Sequence, residues 1–149
     1  MRTVIQRVSS ASVKISDKVA GQISQGLVVL AAISEDDSDN DLSYMAEKIV
    51  RLRIFEDEAG KMNKSSLDIK GEVLAISNFT LCGDARKGRR PDFTSAAKPD
   101  KAKPLFDKFV ELLKGYGLKV EVGEFQAMMD VELVNDGPVT VLLDSKKVF

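Results

Sequence analysis

The sequence predicts an α+β fold: a single domain over residues 1–149, strand-rich, with largely antiparallel barrel-like sheets and two main helices. Three observations predict it. Most of the chain shows apolar residues at period two or in short apolar runs, both strand signals. Only two segments carry helical spacing, too few helices to cover both faces of a parallel sheet. And 149 residues suit one domain, large enough to bury a core without staples.

The elements follow in order. Thr3 to Val8 and Ala11 to Ile15 alternate apolar and polar, which predicts two strands. Asp17-Lys18 makes a turn, Val19 to Ile23 continues, and Gly26 opens a buried strand, Leu27 to Ile33. Asp36, Asp37, Asp39 and Asp41 read as a solvated loop leading into a helix, whose N-terminus favours negative charge. Leu42, Met45, Ala46, Ile49 and Leu52 then predict an amphipathic helix over 41–52. Arg53 to Phe55 reads as a short strand ending in the turn Glu56 to Gly60, and Val73 to Phe79 as another buried strand. Gly83 to Pro91 is a polar loop with Arg86, Lys87, Arg89 and Arg90. Pro104 suits the first turn of a second helix, with Leu105, Phe109, Leu112 and Leu113 on one face and a stop at Gly115 to Gly117. Lys119 to Gly123, Met128 to Val134 and Val139 to Leu143 complete a strand-rich second half. Strands without helices of their own find burial by pairing with another subunit, so a homodimer is expected.

Composition narrows the chemistry. There is no histidine, which removes Ser-His-Asp and Cys-His catalysis and any zinc site built on imidazole. One cysteine, Cys82, allows no internal disulfide, in keeping with a reducing cytoplasm. The longest apolar run is far shorter than the roughly 18 residues of a membrane span, so no membrane partner is expected. The aspartate cluster lacks the Gly and distal Glu of a calcium loop, so neither a metal nor another cofactor is expected. With a net charge of −1, contact with nucleic acid must come from a local patch.

Two polar segments interrupt the apolar pattern. Ser77-Asn78-Phe79-Thr80-Leu81 ends a core strand, and its hydroxyls either satisfy nearby backbone or line a pocket. Phe79 reads as a core aromatic. Asn135-Asp136-Gly137-Pro138-Val139-Thr140 lies between two apolar runs and reads as a hairpin tip. Pro138 withholds an N–H and fixes φ, so Gly137-Pro138 is a rigid stretch of bare carbonyls.

Together these segments resemble the two signature motifs of the D-aminoacyl-tRNA deacylases, Ser-Gln-Phe-Thr-Leu and Asn-x-Gly-Pro-Val-Thr. Ile5-Gln6-Arg7-Val8, Arg53-Ile54-Phe55, Gly60-Lys61-Met62-Asn63 and Arg90-Pro91 extend the resemblance along the whole chain. Asn78 departs from it, standing one methylene shorter than the family's Gln. The resemblance implies an editing hydrolase that proofreads aminoacyl-tRNA, cleaving the ester of D-aminoacyl-tRNA and of glycyl-tRNA mischarged on tRNA-Ala. It implies catalysis around Ser77, Asn78, Phe79 and Thr80, with the tRNA 2′-OH assisting water and backbone N–H groups near Phe79 and Thr80 binding the oxyanion. It further implies a cis Gly137-Pro138 bond that excludes L-residues, reaches into the other subunit's pocket and is held by Arg7. On residue type alone, Arg7 could equally sit on an exposed strand face. Gln6, Phe125 and Met129 are expected in the substrate pocket, although Phe125 and Met129 also suit core packing. Arg86, Lys87, Arg89 and Arg90, with Lys98, Lys101 and Lys103 nearby, fit either acceptor-end phosphates or a solvated loop. Two rivals remain: a related deacylase for a mischarged L-amino acid, and a non-catalytic tRNA-end or nucleotide-binding module.

Overall fold

Fourteen consecutive residues, Arg2–Ile15, form one strand, β1, where the alternation predicted two. Ser9-Ser10 breaks the apolar pattern, but the strand continues through it: the register with β8 shifts by one residue between Val8 and Ser10, which leaves both serines exposed. The computed structural model describes all of residues 1–149. After β1 come β2 (Lys18–Ile23), β3 (Gly26–Ala32), helix α1 (Asp39–Val50), β4 (Phe55–Glu56), β5 (Met62–Lys64) and β6 (Glu72–Ser77). A 3-10 turn (Phe79–Cys82), helix α2 (Pro99–Gly115), β7 (Val120–Val122) and β8 (Asp130–Asp144) complete the chain.

The main sheet runs β2-β1-β3-β6-β7, with β8 on the other side of β1. The β1 pairings with β2, β3 and β8 are antiparallel; β3–β6 and β6–β7 are parallel. The first half of β1 pairs with β3 and the second half with β2, so the sheet curls. Lys119 Nζ reaches the Gln22 carbonyl at 3.4 Å, and the Ser24 N–H donates to Glu72 Oε2 at 2.8 Å. These bonds bring β2 near the β6–β7 edge, leaving a nearly closed barrel. Val8, Val13, Ile23, Val28, Leu74 and Ile76 pack together on one face of this curl. On the opposite face a larger core joins Ile5, Leu27 and Val73 to both helices.

Helix α1 buries Leu42, Met45, Ala46 and Ile49, as its spacing predicts. The Asp41 carboxylate reaches back to the Ser38 N–H at 2.9 Å. The acidic loop is only partly solvated. Asp37 is buried and takes the Met1 ammonium, and Asp41 takes Ser145 Oγ at 2.7 Å and Lys146 Nζ at 2.9 Å. Helix α2 starts earlier than Pro104 predicts: Pro99 occupies the first turn and Pro104 lies inside. Pro104 is exposed, so water can satisfy the carbonyl its missing N–H leaves free. The strand expected to run to Phe79 stops at Ser77, because the chain turns away into the 3-10 turn. The short strand near Phe55 is one arm of a hairpin with β5. No helix is long and apolar enough to cross a membrane.

Candidate active site

Strand β6 carries apolar residues through Ile76 and then delivers Ser77 beside Ala31 of β3. The Asn78 N–H makes a last bond to the Ala31 carbonyl at 2.8 Å before the chain turns. Phe79 is therefore not a core residue: it is 58% exposed and meets Phe93 edge-on, with ring centroids 5.4 Å apart. The Thr80 hydroxyl donates to Asn78 Oδ1, which orients the shortened amide. The N–H groups of Phe79 and Thr80 open the turn, where helical geometry supplies no internal acceptor.

Above this turn lies a cleft of about 550 Å³. Ser77, Asn78 and Phe79 form one wall, Phe93, Ala96 and Pro99 a second, and Phe125 to Met129 a third. No ionisable side chain lines it. Phe125 and Met129 line the cleft, while Thr80 and Gln6 do not. The sequence reading missed Phe93 and Met128. Met128 is 92% exposed at the rim, and a large apolar side chain next to the expected pocket residue Met129 was the available signal. A larger hollow, about 610 Å³, lies between the two helix N-termini but contains neither motif.

The second motif is not a hairpin tip. Met128 to Val134 and Val139 to Leu143 do not pair with each other; most of both runs belongs to β8, and both halves of β8 pair with β1. Gln6 stands opposite Thr140 and Val8 opposite Asn135, so Asp136 to Val139 bulge out opposite Arg7 alone. A turn signal in sequence does not reveal which strand pairs with its flanks. Within the bulge the Gly137–Pro138 peptide is cis, Gly137 has φ +123°, and both residues are exposed.

Arg7 is buried, not on an exposed strand face. Its Nη1 donates to the Ile54 carbonyl at 2.7 Å, and its Nε to the Asp136 carbonyl at 3.2 Å. Gln6 faces the same region, with Nε2 3.4 Å from Thr140 Oγ1.

The basic residues separate into two groups. Arg86 is tied to Asp84 at 2.6 Å, and its guanidinium holds the Asp84 carboxyl well below the usual range. Lys101 bonds the Glu35 carbonyl and Lys103 pairs with Asp107. Lys87, Arg89, Arg90 and Lys98 are exposed and make no ion pair.

The two motifs do not meet within one chain. Arg7 aligns with Leu27 and Val73, whereas Ser77 aligns with Ala31 and Thr3. The bulge thus lies three strand spacings across the sheet from Ser77, about 14 Å, and four residues along it, about 13 Å.

Fold and cleft define a class: a small, nearly closed α+β barrel with an apolar cleft edged by hydroxyl, amide and backbone N–H groups. The family model for D-Tyr-tRNA(Tyr) deacylase matches residues 4–144. The D-aminoacyl-tRNA deacylases of Thermosipho africanus (strain TCF52B) and Fervidobacterium nodosum (strain ATCC 35602 / DSM 5306 / Rt17-B1) are 60% and 58% identical to this chain, each over the full length of both sequences. A solved structure of the c-Myc DNA Unwinding Element Binding Protein is 40% identical and superposes with a TM-score of 0.91, covering 97% of this chain and 98% of that one. A probable eukaryotic D-amino acid tRNA deacylase, 17% identical, shares the fold with a TM-score of 0.84 over 95% of this chain and 97% of its own. The chain belongs to the D-Tyr-tRNA(Tyr) deacylase family and is an enzyme, a hydrolase of the D-aminoacyl-tRNA deacylase type.

Proposed function

We propose that this enzyme hydrolyses the ester joining a D-amino acid, or a glycine mischarged on tRNA-Ala, to the terminal ribose of tRNA. The observation that carries the chemistry is the cleft without an ionisable side chain. With no acid or base in its walls, the adjacent ribose 2′-OH is the nearest group able to assist. Water attacks the ester carbonyl, aided by the 2′-OH, and backbone N–H groups of Phe79 and Thr80 bind the oxyanion. The carbon–O3′ bond then breaks, and the water's proton passes to the 3′ oxygen. Ser77 and Asn78 orient the substrate, and Thr80 acts by positioning Asn78. Phe79 packs against the terminal adenosine, and Phe125 and Met129 line the amino-acid side of the cleft.

Selection against L-residues falls to Gly137 and Pro138. Their carbonyls present backbone alone, so an L side chain collides with them while a D side chain points away and glycine has nothing to reject. Arg7 holds the element in place, and Gln6 supports the same bulge. Because the bulge is far from Ser77 in its own chain, it serves the cleft of a second copy, in a homodimer. Lys87, Arg89 and Arg90, with a smaller share from Arg86, meet acceptor-end phosphates. The lone cysteine and the tRNA substrate suit the cytoplasm.

The test is release of amino acid from matched D- and L-tyrosyl-tRNA, with glycyl-tRNA-Ala alongside. D-tyrosine and glycine should be released and L-tyrosine retained. Equal rates for both hands would remove the filter, and retention of all three would remove the substrate assignment.

A further inference from the structure

We propose that Asn135 is a positioning residue for the Gly137-Pro138 element, and therefore a determinant of handedness. The proposal rests on reading Gly137-Pro138 as the filter. The bulge removes ladder bonds on both strands: four residues of β8 face Arg7 alone, and Pro138 has no N–H to donate. The Arg7 and Val139 carbonyls would otherwise be left without partners from this ladder. One side chain serves both. Asn135 Nδ2 donates to the Arg7 carbonyl at 3.0 Å and to the Val139 carbonyl at 2.9 Å. Both partners are pure acceptors, so the amide must present its NH2, with one hydrogen for each.

Asn135 thereby joins the end of the bulge to its own first flank and to the opposite strand. From the other side, Arg7 holds Asp136, the first bulged residue. Only Gly137 and Pro138 lie between these two anchors. Loss of the Asn135 donors frees the Val139 end, and the element can then retreat from an L side chain.

The experiment compares wild type with Asn135→Asp on D- and L-tyrosyl-tRNA. Aspartate keeps the shape but replaces the donors with oxygens facing two carbonyls. The ratio of D to L turnover should fall about tenfold, the factor carried by roughly one part-buried hydrogen bond at the upper end of its usual contribution. General destabilisation would lower both rates together and leave the ratio intact. If wild type discriminates and the variant keeps the same ratio, Asn135 does not position the filter. If wild type itself does not discriminate, the filter reading fails first. Should Asn135→Asp not fold, Asn135→Ser, smaller and with a single donor, is read by the same ratio and the same criterion.

Discussion

Arg7 and Asp136 meet twice: Arg7 Nε donates to the Asp136 carbonyl at 3.2 Å and lies 3.1 Å from its carboxylate Oδ2. The same guanidinium donates Nη1 to the Ile54 carbonyl, 47 positions away. One buried side chain therefore ties the bulge of β8 to the segment entering the β4–β5 hairpin. A planar fork with fixed donors suits this task, whereas a lysine offers one ammonium.

Arg7→Lys should therefore break at least one of these hydrogen bonds. A stability loss of about 1–3 kcal/mol is expected, since the carbonyls are deprived of charged donors while the half-exposed Asp136 carboxylate keeps its water. Urea unfolding measures it. L-tyrosyl-tRNA hydrolysis should rise in the same variant, and unchanged stability and selectivity would remove Arg7 from its role.

A cross-subunit site can be tested by mixing two variants, each first shown to be inactive alone. Gly137→Val places a branched side chain at φ +123°, where even a Cβ comes within 2.9 Å of the Arg7 guanidinium. Asn78→Trp fills the cleft. Co-refolded subunits should recover about a quarter of wild-type sites, because half the dimers are mixed and each has one intact pairing. A site built within one chain would recover none.

The Thr80 hydroxyl donates to Asn78 Oδ1, which makes it a positioning group in the proposed reaction. Thr80→Val should lower turnover by less than about a thousandfold. A larger loss with tRNA binding intact would make the hydroxyl chemically essential.

Exposed Arg89 and Arg90 make no ion pair, while Arg86 is occupied by Asp84. The double variant Arg89→Gln, Arg90→Gln should flatten the salt dependence of tRNA binding. The slope of log affinity against log salt should fall by roughly 0.7–0.9 for each phosphate no longer neutralised. Arg86→Gln should change the slope less. An unchanged slope in the double variant would rule out the patch.

Acid should expose the role of Asp41. Burial opposes its charge, but hydrogen bonds from Lys146, Ser145 and Ser38 outweigh that and hold its carboxyl well below the usual range. A carboxyl depressed in the folded state contributes stability that is full above its unfolded pKa of about 4 and is lost as pH falls toward the folded value. Thermal melts at descending pH should show a shallower acid decline for Asp41→Asn than for wild type. Parallel declines would mean that Asp41 does not contribute to the acid sensitivity.

Local chemistry was legible where it depends on near neighbours. Period-two alternation marked β1, apolar runs marked the two halves of β8, and helical spacing marked α1; the polar break after Ile76 marked the end of the core but not the turn, since the strand was expected to run to Phe79. The sequence by itself also determined the absence of imidazole chemistry, since composition does not depend on folding. Tertiary structure alone decided what pairs with what. Asn135 to Pro138 carries a turn signal, yet its partner is Arg7, 129 positions from Asp136, so the expected hairpin tip is a bulge in one long strand. Burial likewise turned Arg7 from a possible surface arginine into a two-way brace and turned Phe79 outward from the core. The physical reason is that hydrogen bonding and burial are settled by long-range neighbours, whereas propensity and periodicity report only the next few residues.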